Sequence, residues 1–171
     1  LTRWTGEQSA ELYGIRNWGT GFFDVNEKGD VAIRPTGQAN GVQLSMTDIV
    51  AGLKARGVDM PVLVRFADVL GARVRKINES FAKAMADIGY EGKYRGVFPI
   101  KVNQQQQVVE DIVAAGAPYH YGLEAGSKPE LIAALAYIQD REALIICNGY
   151  KDAEFIDLAL YSNKMGMQTV L

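Results

Sequence analysis

Over the first dozen residues, apolar and polar positions follow no clear period. The run Phe22-Phe23-Asp24-Val25 then meets the turn signal Asn26-Glu27-Lys28-Gly29, and Asp30-Val31-Ala32-Ile33-Arg34 follows. This pattern predicts a β-hairpin with a four- or five-residue loop. Residues 35–41 carry Pro, Gly and Asn and form the best internal boundary. Beyond Leu44 the rhythm becomes regular. Ser45 or Thr47 caps a predicted helix that turns Ile49, Val50 and Leu53 inward and stops at Gly57. Residues 61–66 predict a strand with Pro at its first position. A long helix follows, with Leu70, Val74, Ile77, Phe81, Met85 and Ile88 on one face and Gly89 at its end.

The alternation then continues. Val97, Phe98, Ile100 and Val102 predict a buried strand that carries Lys101. Residues 104–115 predict a helix with Val108, Val109, Ile112 and Val113 inward, stopped by Gly116. A short strand over 119–123 and a helix over 127–138 come next, the latter with Leu131, Ile132, Leu135 and Ile138 inward. An apolar strand over 143–147, a helix over 152–161 and a strand at 168–171 complete the chain. Five apolar strands alternating with helices predict an α/β fold with a helix-covered parallel sheet. The even spacing fits the first part of a (β/α)8 barrel better than an open sheet. Residues 1–40 are then a separate hairpin segment and residues 41–171 the truncated barrel. Such a partial barrel leaves two unpaired parallel edges, an aggregation hazard where exposed.

Composition narrows the function classes. The chain has 171 residues, 48% of them hydrophobic, which suits one globular domain with a sizeable core. A net charge of -2 makes no electrostatic case for nucleic acid. No apolar run approaches a membrane span, and residues 1–6 lack the apolar core of a signal peptide. One cysteine, Cys147, excludes an internal disulfide and fits a reducing compartment. With no initiator methionine and an end inside a predicted strand, both termini look cut.

Candidate chemistry concentrates where strands end, which in a barrel is the catalytic rim. Lys101-Val102-Asn103-Gln104, Glu124-Ala125-Gly126-Ser127 and Asn148-Gly149-Tyr150-Lys151 all fall there, after Arg65-Phe66-Ala67-Asp68. A lysine in a strand buried on both faces needs a partner or is chemically used, and an amine freed of its proton forms Schiff bases with carbonyls. Read alone, Lys101 is more simply a solvated strand-end lysine, because strand ends are polar wherever the chain leaves the core. Ser127-Lys128-Pro129-Glu130 matches a capping box. His120 reads as a strand residue used in surface packing, and Cys147 as a small core residue. There is no P-loop or dinucleotide fingerprint and no His/Cys metal-ligand pattern.

Four blocks together carry a resemblance. Phe98-Pro99-Ile100-Lys101-Val102-Asn103-Gln104 closely resembles the pyridoxal-phosphate lysine segment of the biosynthetic arginine decarboxylases. Gly122-Leu123-Glu124-Ala125-Gly126-Ser127-Lys128-Pro129-Glu130-Leu131 and Ile146-Cys147-Asn148-Gly149-Tyr150-Lys151-Asp152 resemble the next two blocks of that family, and Tyr13-Gly14-Ile15-Arg16-Asn17-Trp18-Gly19 its opening. The resemblance implies a barrel-plus-β-domain enzyme of which this is the N-terminal part, with the hairpin joining the β-domain. It implies that Lys101 is catalytic and binds pyridoxal 5'-phosphate as a Schiff base. Glu124 and Asn103 are then further cofactor-binding positions. The implied reaction converts L-arginine to agmatine and CO2, toward putrescine and spermidine. The implied setting is a cytoplasmic homo-oligomer, a dimer or tetramer. Magnesium is also implied, although no ligand set for it is visible. The groups of the substrate end fall beyond Leu171, so this chain alone is expected to be inactive. A non-catalytic pyridoxal-binding relative, and a decarboxylase for ornithine or diaminopimelate, are the alternatives.

Overall fold

The computed structural model describes residues 3–38 and 40–171. Leu1 and Thr2 of the opening run, and Ala39 of the 35–41 connection, lie outside the described residues. The chain divides into two compact units, Leu1–Ala72 and Arg73–Leu171.

The first unit opens with two helices that sequence periodicity does not reveal, α1 (Gly6–Leu12) and α2 (Ile15–Gly19). A local signal for α1 was nonetheless present. Thr5 Oγ1 accepts from Gln8 N–H at 3.3 Å, and Gln8 Oε1 accepts from Thr5 N–H at 2.9 Å, a reciprocal capping box. The hairpin forms as expected, β1 (Phe23–Val25) antiparallel to β2 (Val31–Ile33), with Ala32 and Ile33 fully buried. A third strand, β3 (Leu44–Ser45), pairs with β2 and leads directly into α3 (Met46–Ala55). Ser45 caps α3 by accepting from Asp48 N–H, while the Ser45 and Thr47 hydroxyls donate to the two oxygens of Asp30, each at 3.1 Å. The expected inward residues of α3, Ile49, Val50 and Leu53, are only half-buried.

Residues 61–66 are not a strand, which corrects the expectation. They keep the alternating exposure of one, but form no backbone ladder with any described strand. A strand exists through its hydrogen-bonded neighbour, and periodicity alone does not supply one.

Helix α4 (Ala67–Asp87) follows, and Gly89, with φ of +65°, ends it as a left-handed cap. Only Val74 and Asn78 on it are buried, and Ile77, Phe81 and Ile88 of the apolar stripe stay exposed. The second unit then builds a four-stranded parallel sheet in the order β4 (Val97–Pro99), β5 (Gly122–Ala125), β6 (Leu144–Cys147), β7 (Gln168–Val170). The helices α5 (Gln106–Gly116), α6 (Lys128–Tyr137) and α7 (Ala153–Lys164) connect successive strands. The core is Leu123, Ala125, Ile145 and Cys147 from the sheet against Val109, Leu131, Ala134, Phe155 and Ala159 from the helices. Ile132 faces outward instead of inward, because on a helix it is its neighbours at positions 131 and 134 that share the sheet-facing stripe. Gly122 is required by sheet closeness. A Cβ there would collide with the Leu144 carbonyl oxygen.

The expected strand over 119–123 begins later, at Gly122. Residues Ala117–Tyr119 form a 3-10 turn, and His120 closes it with φ of +52°, so His120 is not a strand residue. Helix α5 ends at Gly116 as expected, and Gly116 keeps a φ of -83°. At the far edge Asn163 pairs with Thr169 of β7 twice. Its Oδ1 accepts from Thr169 N–H at 2.9 Å, and its Nδ2 donates to the Thr169 carbonyl at 3.0 Å.

Candidate active site at the strand ends

Strand β4 is shorter than its apolar run suggests. It ends at Pro99, and Ile100–Val102 turn as a 3-10 helix closed by Asn103 N–H on the Ile100 carbonyl at 3.1 Å. Ile100 stays buried and pins the turn, while Lys101 and Val102 project outward. Lys101 is therefore not in the strand but just past it. Its side chain is 62% exposed.

Register brings the partner. Pro99 lies opposite Glu124 on β5, so Lys101 emerges beside that carboxylate. Lys101 Nζ is 3.6 Å from Glu124 Oε1, and the Glu124 side chain is only 5% exposed. Glu124 in turn lies opposite Ile146, and β6 ends one residue later. Asn148 N–H donates to the Ala125 carbonyl at 2.9 Å, which turns its side chain back so that Nδ2 donates to Glu124 Oε1 at 3.1 Å. Glu124 Oε2 is buried and has no hydrogen-bond partner among the described residues. A buried carboxylate oxygen without a donor is costly, and such groups mark places where a ligand supplies the missing bond.

Asn103 sits two residues past the lysine, half-buried, and its Oδ1 accepts from Gln105 N–H at 3.2 Å, which starts α5. Two residues that the sequence places on the rim without a role, Asn148 and Gly149, shape the site. Asn148 orients Glu124, and its signal was the Asn-Gly step directly after an apolar strand. Gly149 holds φ of +81°, and a Cβ on it would meet the Gly126 carbonyl oxygen at 2.6 Å, so the ends of β5 and β6 touch backbone to backbone. Glu130 departs from the expected capping box. Ser127 Oγ accepts from Glu130 N–H, but the Glu130 carboxylate reaches Gly126 N–H at 2.6 Å rather than the N-cap amide. Lys128 ties the starts of α6 and α7 by donating to Asp152 at 2.8 Å and Glu154 at 2.6 Å. This hydrogen bond from Lys128, with that from Phe155 N–H, holds the Asp152 carboxyl below the usual aspartate value.

His120 and Cys147 stand apart from this rim. His120 lies before β5, with Nδ1 2.7 Å from Asp140, beside the Arg95–Glu142 pair at 2.9 Å. Burial pushes Asp140 up, but the Glu142 backbone N–H, the His120 ring and Arg95 outweigh it and leave the carboxyl below its usual value. Burial pushes the Cys147 thiol up, with Lys151 opposing weakly. Folded protein is therefore expected to react with iodoacetamide at Cys147 at least about tenfold more slowly than urea-unfolded protein. Mass-spectrometric labelling checks this, and equal rates would contradict the core placement. Among the described residues no group of three or more His, Cys, Asp or Glu is arranged to hold a metal, and no helix is long and apolar enough to cross a membrane.

Residues 72–170, which contain Lys101, Asn103, Glu124 and Asn148, match the family model described as pyridoxal-dependent decarboxylase, pyridoxal binding domain. The chain belongs to this family. A biosynthetic arginine decarboxylase of Gloeobacter violaceus is 50% identical over 163 residues, covering 95% of this chain and 25% of the relative. One from Synechococcus sp. strain RCC307 is 45% identical over 168 residues, covering 98% and 26%. The crystal structure of the biosynthetic arginine decarboxylase SpeA from Campylobacter jejuni superposes with a TM-score of 0.82 at 37% identity, over 92% of this chain and 25% of that one. This chain spans about a quarter of the length of the relatives it matches. Its α/β fold, an antiparallel sheet followed by the opening βα units of a barrel, is that of the family.

Proposed function

We propose that this chain is the N-terminal quarter of a pyridoxal-phosphate-dependent decarboxylase that converts L-arginine to agmatine and CO2, on the way to putrescine and spermidine. One observation carries the reading. A lysine amine at the end of β4 lies beside a buried carboxylate that has one oxygen to spare, inside the segment matched as pyridoxal-binding. These residues fit the cofactor. Lys101 is the amine that would hold its aldehyde, and Glu124, with Asn103 at the rim, would face it. When bound, the cofactor supplies an electron sink for the bond to the departing carboxylate.

The chain's own part is binding and orientation. The 3-10 turn over Ile100–Val102 keeps the Lys101 amine outside the sheet, where a carbonyl can reach it. Asn148 fixes one oxygen of Glu124 and leaves the other free to accept a hydrogen bond. No step is assigned to the magnesium that the resemblance implies. The hairpin of residues 1–40 is assigned to a β-domain and residues 41–171 to the barrel. The antiparallel and parallel character of the two sheets supports a division into two parts, with β3 at Leu44–Ser45 carrying the first sheet past residue 40. We assign the whole protein to the cytoplasm as a homo-oligomer. The chain's single, buried cysteine, Cys147, fits a reducing compartment.

The relatives' names favour arginine over ornithine or diaminopimelate, and favour an enzyme over a non-catalytic relative. The test is product analysis with the full-length protein and pyridoxal phosphate. Agmatine from arginine is expected at least about a hundredfold faster than product from ornithine or diaminopimelate, as polar recognition of a side chain allows. The 171-residue chain alone is expected to form none. Preference for ornithine, or no turnover by the full-length protein, would reject the proposal.

A further inference from the structure

The Lys101 turn and the loops after β5 and β6 converge on one side chain that carries no assigned role. Glu130, on the first turn of α6, accepts from Gln104 Nε2 at 3.1 Å with Oε1 and from Gly126 N–H at 2.6 Å with Oε2. Gln104 lies three residues past Lys101, in the segment that returns from the 3-10 turn. Gly126 lies two residues past Glu124. The same Gly126 backbone supports the Gly149 loop, and the residue before Gly149 is Asn148, which orients Glu124. One carboxylate therefore joins the chain beyond the lysine, the chain beyond its acidic neighbour and, through Gly126, the chain that fixes that neighbour. A capping box would have directed the carboxylate to the N-cap amide of Ser127. Here it is displaced by one residue, to Gly126, which frees its second oxygen for Gln104.

We propose that Glu130 is a positioning residue of the site: it sets the separation between the Lys101 amine and the Glu124 carboxylate by holding Gly126 and Gln104 together. This inference rests on the site reading above. Charge is not what the role needs. Two acceptor positions, or an amide that accepts from Gly126 and turns its NH2 to the Gln104 carbonyl oxygen, preserve the bridge. Removing both hydrogen bonds lets the Lys101 turn and the β5 loop drift apart. A misplacement of about 1 Å at a reacting group is enough to cost on the order of a hundredfold in rate.

The test compares Glu130→Ala, Glu130→Gln and Gln104→Ala in the full-length protein. In the apo protein, without cofactor or substrate, amide exchange at Gly126 is followed by mass spectrometry, together with acylation of Lys101 by acetic anhydride. Glu130→Ala is expected to speed Gly126 exchange about tenfold, the loss of one charge-assisted hydrogen bond. It should also speed Lys101 acylation by up to about fivefold, the range for loosening a half-exposed ion pair. With cofactor and arginine, Glu130→Ala is expected to lower kcat about ten- to a hundredfold with KM within about twofold. Glu130→Gln should restore all three readouts to within about threefold of wild type. Gln104→Ala, in an exposed segment, should raise Lys101 acylation while leaving Gly126 exchange near wild type, so the bridge is tested even where Glu130→Ala fails to fold. Wild-type acylation of Lys101 in both Glu130→Ala and Gln104→Ala, or a Gln variant as impaired as the Ala variant, would overturn the proposal. If wild type forms no agmatine, the functional reading fails, whereas the two apo measurements still decide the role of Glu130.

Discussion

Lys101→Ala in the full-length protein is expected to lose the visible absorbance of lysine-bound pyridoxal phosphate and at least about a thousandfold in agmatine formation, the scale of removing a covalent catalytic group. The alanine variant alone would leave an ambiguity. Glu124 is 5% exposed, and removing the amine 3.6 Å away strands a buried carboxylate. Breaking such a pair from one side can itself destabilise a protein. Lys101→Arg separates the two effects. Its guanidinium keeps a positive charge near Glu124 but cannot form a Schiff base at neutral pH. The arginine variant is therefore expected to keep a melting temperature near wild type while losing the absorbance band and the activity as completely as alanine does. Agmatine formation, spectrum and melting curve on the same three proteins check this. Wild-type activity in either variant would sink the assignment of Lys101.

The largest structural effect is expected at Phe155. It is 1% exposed and packs in the core of the second unit, and its backbone N–H is the one that Asp152 caps at the start of α7. Phe155→Ala removes a ring's worth of buried contact between α7 and the sheet and should cost about 3–5 kcal/mol. Against a typical total of about 5–15 kcal/mol, that is a large fraction of stability. Urea denaturation should show a lower midpoint at unchanged slope. A loss below about 1 kcal/mol would mean that the site collapses around the alanine, contrary to the packing described.

Much of this fold is legible in the sequence, for identifiable reasons. The hairpin is announced by its turn residues, and α6 and α7 by Ser127 and Asp152, which do act as N-caps. Apolar runs between helices announce β5 through β7. Residues 61–66 and 97–102 mislead for the same reason. Apolar alternation reports burial, whereas a ladder depends on a neighbour that sequence does not display. The Lys101 segment keeps an apolar pattern through a 3-10 turn because Ile100 still anchors it in the core. His120 adopts a left-handed backbone that no local pattern announces. At the site, Lys101 and Glu124 are recognisable as polar residues ending apolar strands. Asn148 is recognisable in the same way, but its bond to Glu124 is not, nor is any role for Glu130, because both come from loop contacts. Ser127 to Glu130 even matches a motif whose second half goes elsewhere.

The double hydrogen bond between Asn163 and Thr169 bears on how this sheet can grow. A side-chain amide presents one donor and one acceptor at nearly the spacing of a peptide, so Asn163 stands in for one residue of a neighbouring strand. It occupies the N–H and the carbonyl of the middle residue of the terminal strand β7. Any further strand that docks on this edge must either leave Thr169 to Asn163 and adjust its register around it, or displace two hydrogen bonds worth about 0.5–1.5 kcal/mol each. Asn163 is in this sense a gatekeeper. A strand that joins β7 has to make contacts that outweigh this exchange.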